Sequence, residues 1–367
     1  MRSKIQRIAV NTGGGDAPGL NAVIRAAALS AESRGWEVVG IRKGYGGLLD
    51  ESGQGLVTLD RERVRGITHQ GGTILGTSNR GNPFTWQQRM PDGTVEVTDR
   101  SNDILAAFER HGIDALIAIG GDGSLAIAHD LSLQGLPVVG VPKTIDNDLQ
   151  GSAFTFGFNT ACHVATDAID RLHSTAESHE RVLVMEVMGR DSGWIALESG
   201  VAGSADVILI PEIPFDLERV ADKIRKREAS GQRFAIVVVA EGAAERGGSQ
   251  RHVGPASEGR AEARLGGVAE FVAGEIQKRT QKETRHLVLG HLQRGGRPTS
   301  FDRLIALRFG TAAVRLVEMR AFGSMVALNP PRIESIPLAE AIRSRKTVPL
   351  DGDLVQTARD LGICLGD

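Results

Sequence analysis

Asp122, Asp146 and Asp148 each stand just past a short apolar run that ends in glycine or proline. Gly120-Gly121-Asp122-Gly123-Ser124 follows Ala115–Ile119, and Pro142-Lys143-Thr144-Ile145-Asp146-Asn147-Asp148 follows Val138–Val141. Runs of this length, closed by turn residues, read as buried parallel strands. Ligands of open α/β sheets bind beyond the carboxyl ends of the strands. Two neighbouring strands would therefore bring three carboxylates and a glycine-rich turn to one crevice, a set suited to phosphate and metal.

Phosphoryl transfer needs backbone donors around a phosphate chain, a metal, cations on the transferring group, and a carboxylate to take the acceptor's proton. Gly13, Gly14 and Gly15 follow the first apolar run and precede a helix, so they can supply N–H donors. Asp122 can hold Mg²⁺ directly or through water. Arg80 and Arg190 can neutralise developing charge, and Asp146 can act as the base. Plainer readings exist for each. A strand-end aspartate such as Asp146 or Asp148 often only caps a turn, and Ser124 can cap the helix after it. Tyr45, the one tyrosine of the chain, can be a packed loop aromatic, and His291 a satisfied core histidine. Arg294 and Arg297 can form a solvated basic loop. Chemistry is favoured by the joint pattern, since caps need not be basic after one strand and acidic after another.

Composition narrows the class. The 367 residues are 41% hydrophobic and 24% charged, as expected for a soluble globular chain of two domains. A net charge of −2 and 4% aromatic content give neither a basic field nor stacking platforms, so nucleic acid is not an expected partner. Cys162 and Cys364 are the only cysteines and make no disulfide framework or zinc set, which suits a reducing cytoplasm. No signal-peptide pattern or membrane-spanning run is visible.

The elements that must position these residues alternate. Strands are expected at Arg7–Asn11, Val38–Ile41, Ala115–Ile119, Val138–Val141, Arg181–Val187, Ala205–Ile210, Phe234–Ala240 and Arg285–Leu289. Helices are expected from about Asn21, near Asp103–Arg110, and over Leu125–Leu133, Thr160–Thr175, Gly267–Arg279 and Phe301–Met319. This predicts an α/β fold of two Rossmann-like three-layer units with mainly parallel sheets and an active site in the cleft between them. Residues 1–150 with about 266–320 form the larger unit, for the phosphoryl donor. Residues 151–265 form the smaller, which would hold the acceptor, and 321–367 are a tail with no visible chemistry. Glu245–Arg264, rich in Gly, Ser, Arg and Glu, reads as a mobile surface loop. Two familiar phosphate motifs are excluded around Gly13. Leu20-Asn21 stands where a P-loop needs Gly-Lys-Ser/Thr, and Pro18 breaks a dinucleotide fingerprint.

Five segments, in order, resemble the motif set of the 6-phosphofructokinase family: residues 14–19 (Gly-Gly-Asp-Ala-Pro-Gly), 120–124, 142–148, Met188-Gly189-Arg190, and 290–296 (Gly-His-Leu-Gln-Arg-Gly-Gly). The resemblance covers roughly residues 5–320. It implies Mg²⁺-dependent phosphoryl transfer to the 1-hydroxyl of fructose 6-phosphate in glycolysis. By position, Asp146 matches the family's base, Thr144 lies beside the transferred phosphate, and Asp122 matches the Mg²⁺-linked aspartate. Gly14 and Arg190 match groups on the transferring phosphoryl, and Arg80 a phosphate-bridging arginine. Gly121, Gly123 and Ser124 belong to the donor turn. Met188, Gly189, Glu241, His291 and Arg294 match the sugar-phosphate site, with Asp148 beside it. Arg181 and Arg285 match arginines that reach a neighbouring subunit's site, which implies a homo-oligomer, dimer or tetramer.

The resemblance leaves two donors open. Gly123 leaves room for a nucleotide where pyrophosphate-dependent relatives carry aspartate, and Tyr45 matches a position near adenine, so ATP is favoured. Lys143 resembles the lysine of the pyrophosphate-type subgroup, so pyrophosphate is the alternative. The mixed pattern resembles a mixed-substrate subgroup containing both kinds of enzyme. Arg25 matches one basic effector-site residue, but Leu29 and His173 replace others, so weak effector control is expected. A non-catalytic sugar-phosphate sensor is disfavoured because Asp122, Asp146 and Arg190 are all present.

Overall fold

The structure is a computed structural model that describes residues 4–78, 81–90, 92–254 and 264–367. Its strands, in chain order, are β1 Arg7–Thr12, β2 Glu37–Ile41, β3 Leu56–Thr58, β4 Trp86–Arg89, β5 Val95–Thr98, β6 Ala115–Gly120, β7 Val138–Thr144 and β8 Phe156–Gly157. They continue as β9 Val182–Val187, β10 Val207–Leu209, β11 Ala235–Ala240, β12 His252–Gly254, β13 Arg264–Leu265, β14 Thr284–Val288, β15 Ser324–Asn329 and β16 Arg332–Pro337. The helices are α1 Leu20–Glu32, α2 Ser101–Arg110, α3 Asp122–Leu133, α4 Phe158–His179 and α5 Trp194–Ala202. After them come α6 Leu217–Ala229, α7 Val268–Thr280, α8 Ser300–Glu318, α9 Leu338–Ala341 and α10 Asp353–Asp360. Two compact units result, each built on its own sheet.

The first unit comprises Met1–Thr144, Leu149–Gly157 and Gly295–Arg345. Its sheet runs β16-β15-β7-β6-β1-β2-β3, parallel from β15 to β2 and antiparallel at both edges. Alternation within the strands explains its layers. Ile8, Val10, Ile117 and Ile119 face α1 and α8, burying Leu20, Val23, Phe309 and Val317. Ala9, Leu116 and Ala118 face the opposite way, onto Ile104 and Phe108 of α2 and Leu125 and Leu131 of α3. Each buried Ile, Leu or Phe contributes on the order of 2 kcal/mol, so both helical layers are needed to cover a sheet that is apolar on both faces.

The second unit comprises Ile145–Asp148, Phe158–Arg294 and Lys346–Asp367. Its sheet, β10-β11-β9-β14, is parallel throughout. One face buries Val184, Leu209 and Val237 under α6 and α7, and α4 and α5 pack on the other. The α/β class with two mainly parallel sheets is as the sequence predicts.

Several details differ from the sequence reading. α3 begins at Asp122, with Gly121 as its cap, so Ser124 lies inside the first turn and is not the cap. α7 and β14, placed with the larger unit, join the second instead, because β14 pairs with β9. The tail is structured. β15 extends the first sheet beside β7, and Cys364 bridges Val207 beside β10. Among the described residues no helix is long and apolar enough to cross a membrane.

Candidate active site

In the first unit, β1, β6 and β7 lie side by side and their carboxyl ends carry the glycine loop, the Asp122 turn and Lys143-Thr144. Ser124 ties two of these together. A Cβ on Gly13 would lie 2.6 Å from its Oγ, and one on Gly120 would lie 2.3 Å from its Cβ, so neither position admits a side chain. Gly14 takes a φ of 75°, open to glycine at no steric cost. The Lys143 ammonium donates to the Gly15 carbonyl, which lays a buried cation along the loop.

The glycine amides correct one expectation. Gly13 N–H donates to the Ile119 carbonyl at 2.9 Å and Gly14 N–H to the Ser78 carbonyl at 3.1 Å. Each amide has a single proton, so these two close the loop. Thr77, which the sequence reading did not single out, adds a hydroxyl bond to the Gly14 carbonyl.

Asp122 opens α3, where the helix N-terminus favours a negative charge. Its Oδ2 accepts from Arg345 Nε and Nη2 at 3.3 and 3.1 Å. Gly123 beside it is exposed, and a Cβ there would meet nothing within 4 Å. Tyr45 is only 6% exposed and packs in the core with Val39 and Ile41. Burial pushes its phenol upward, opposed by the Asn11 side chain. Its ring therefore serves the core and offers little surface to an adenine. Arg80 and the neighbouring Asn79 lie outside the described residues.

The second unit gathers a different set at the ends of β9, β11 and β14. Glu241 N–H donates to Val187 O at 2.9 Å and Gly242 N–H to Gly189 O at 3.0 Å. A Cβ on Gly242 would stand 1.7 Å from the Arg190 carbonyl oxygen, so position 242 can lie this close to Arg190 only as glycine. Met188 N–H donates to Oε1 of the buried Gln293 at 2.8 Å, and Gln250 donates to Arg190 O at 2.8 Å. Neither glutamine was foreseen as a support. Burial pushes the half-buried Glu241 carboxyl up, opposed by the charges of Arg190 and Arg294 and reinforced by Glu186. His291 is exposed on the 3₁₀ turn Gly290–Gln293, and its carbonyl accepts from Arg294 N–H at 3.0 Å.

Residues 145–148 follow β7 without strand or helix. Asn147, at a φ of 51°, makes the turn, and asparagine is among the few side chains that accept this left-handed region. The Asp146 carbonyl accepts from Ser192 Oγ at 3.0 Å, and the Asp148 carbonyl from Lys346 N–H at 2.7 Å. Burial pushes the Lys346 ammonium down to about 8 against the pull of Asp148.

Arg181 and Arg285 stand apart from this cluster. Arg181 immediately precedes β9 and Arg285 is the second residue of β14, whereas Met188–Arg190 follow the other end of β9. Six strand residues at ~3.3 Å each separate the two ends. Both arginines instead hold Glu283, at 2.9 and 2.8 Å, and the Arg181 bond keeps that carboxyl below its ordinary range.

Among the described residues no group of three or more His, Cys, Asp or Glu side chains is placed to hold a metal. A lone carboxylate at Asp122 fits Mg²⁺, which keeps several waters and substrate phosphate oxygens as ligands.

The phosphofructokinase family model matches residues 7–317. The chain belongs to this family. The phosphofructokinase fold is also seen by direct comparison: the chain superposes on the Pichia pastoris phosphofructokinase crystal structure in the T-state with a TM-score of 0.79 and 31% identity, over 94% of its own length and 36% of that chain. The chain thus spans about a third of that solved phosphofructokinase. An ATP-dependent 6-phosphofructokinase of Chloroflexus aurantiacus is 53% identical over 367 residues, covering 100% of this chain and 99% of that one. A pyrophosphate–fructose 6-phosphate 1-phosphotransferase of Amycolatopsis methanolica is 49% identical over 344 residues, 94% of this phosphofructokinase and 96% of that relative.

Proposed function

We propose that the chain is an ATP-dependent 6-phosphofructokinase, transferring the terminal phosphoryl of ATP to the 1-hydroxyl of fructose 6-phosphate. The full-length likeness to relatives named for this activity supports the reaction. The observation that carries the donor choice is the open space at Gly123, where a side chain would meet no neighbour and a nucleotide can lie.

Asp146 takes the proton of the attacking hydroxyl. Thr144 and Arg190 flank the transferring group, and Arg190 offsets its charge. The Gly14 loop and Lys143 line the path of the donor's terminal phosphate. On this reading either donor would present a phosphate to Lys143, so the lysine does not by itself select pyrophosphate. Glu241, with Met188, Gly189, His291 and Arg294, receives the sugar phosphate. Asp122 would hold Mg²⁺, whose bound charge supplies neutralisation of the donor phosphates. Arg181 and Arg285 would serve a second copy of the chain in a homo-oligomer, consistent with their position at the far ends of β9 and β14.

The test is Asp146→Asn in the full chain. Loss of a general base should lower kcat by ~10²–10⁴-fold with a modest change in KM. An unchanged kcat removes Asp146 from this role.

A further inference from the structure

The proposed base lies on a segment with no ladder of its own, so its backbone must be held by other groups. Hydrogen bonds within the second unit identify holders of this segment. Ser192, 1% exposed, grips the Asp146 carbonyl at 3.0 Å. Lys346 N–H grips the Asp148 carbonyl at 2.7 Å. These two donors are themselves linked. Trp194 Nε1 donates to the Lys346 carbonyl at 3.1 Å, and the Lys346 ammonium sits 5.6 Å from the Trp194 ring centre. Glu212 closes the circuit. Its Oε1 accepts from Val348 N–H at 2.8 Å, and its two oxygens accept from Gly193 N–H at 3.0 and 3.1 Å. The bonds thus run from the loop through Ser192, Gly193, Glu212, Val348 and Lys346 back to the loop.

We propose that Lys346–Val348, Ser192–Trp194 and Glu212 form a bracket that positions the Asp146 carboxylate for proton abstraction. The inference rests on reading Asp146 as the base. The bracket gives the C-terminal segment a part in the reaction, through two peptide groups and an indole. They act on the loop's backbone and on one another, and so are positioning residues. A reacting group must be held within a fraction of an ångström, and a displacement of about 1 Å can cost about 100-fold in rate. Removing one bond from a closed circuit leaves the others in place, so a partial loss is expected, of about tenfold.

The experiment is a double-mutant cycle in the full chain. Ser192→Ala removes the hydroxyl at Asp146, and Trp194→Phe removes the indole donor at Lys346. Each is made with Asp146 intact and with Asp146→Asn, and kcat, both KM values and the melting temperature are measured. The proposal expects kcat to fall about tenfold with Asp146 present, KM for ATP and fructose 6-phosphate to stay within about twofold, and no further fall in the Asp146→Asn background. A merely structural role predicts a lowered melting temperature with kcat unchanged, or an equal fall in both backgrounds; either result overturns the bracket. Should Ser192→Ala fail to fold, Trp194→Phe carries the same cycle. If Asp146→Asn alone leaves kcat intact, the base assignment fails first and the bracket falls with it. If Asp146→Asn is impaired and the bracket variants are not, only the bracket fails.

Discussion

Arg345 donates to one oxygen of Asp122 from both Nε and Nη2, at 3.3 and 3.1 Å. The two side chains are 36% and 47% exposed, so solvent screens the pair and it adds no more than about 1 kcal/mol to stability. Its consequence is competition for the carboxylate proposed to hold Mg²⁺. Arg345→Met should shift the melting temperature by no more than ~3 °C. It should lower the Mg²⁺ needed for half-maximal ATP binding, read by calorimetry, by up to about fivefold. A higher Mg²⁺ requirement would show that Arg345 assists the donor.

Gly123→Asp tests the donor turn. Gly123 lies within α3, a Cβ there meets nothing, and the backbone needs no left-handed conformation, so the variant should fold with little loss of melting temperature. The added carboxylate, next to Asp122, would repel nucleotide phosphates. ATP turnover should fall to background. Retained ATP turnover in a folded variant would refute the argument from space at this position.

Glu241 links the sugar site to stability through pH. Burial raises its folded-state carboxyl above the unfolded value. The stability it contributes is therefore full below the ordinary carboxylate range and is lost as pH rises through the raised folded value. Glu241→Gln removes that loss. The variant should melt above the parent near pH 7, with the gap closing toward pH 4. Its KM for fructose 6-phosphate should rise by ~10-fold or more, as for loss of a charged hydrogen-bonding partner. A gap that does not depend on pH would contradict the burial argument.

Much of this was legible in the sequence for physical reasons. Ile8, Ala9 and Val10 form a short unbroken apolar run before the glycine loop, which marked β1 as a strand, and the structure covers both of its faces. Gly13 and Gly120 stand where Ser124 leaves no room for a side chain, so the glycine spacing marked a real contact. The remainder depended on long-range pairing. Whether β14 joined one parallel sheet or the other is not encoded in its own residues. Arg345 and Asp122 are 223 positions apart, and neither flanking segment announces the other. Lys346 and Val348 act through peptide N–H groups, which every non-proline residue carries, so no residue type could signal them. Tyr45 carried a positional match, yet its burial beside Val39 and Ile41 assigns the ring to the core.

Arg285 makes a prediction about subunits. It shares Glu283 with Arg181 at the amino end of the second sheet, away from Met188–Arg190. If it completes a neighbour's site, Arg285→Ala and Asp146→Asn should each be nearly inactive alone, and mixed oligomers should recover activity. In such a mixture the subunit with an intact Asp146 borrows Arg285 from its partner. No recovery, with mixed oligomers verified by mass, would mean that Arg285 does not act across subunits.

The central claim is the donor. Purified protein with fructose 6-phosphate and Mg²⁺ should be assayed for fructose 1,6-bisphosphate with ATP and, in parallel, with pyrophosphate. The account predicts turnover with ATP and background formation with pyrophosphate, with Gly123 deciding and Lys143 serving the terminal phosphate. Turnover with pyrophosphate and none with ATP would contradict it, and would assign the choice of donor to Lys143 and its surroundings.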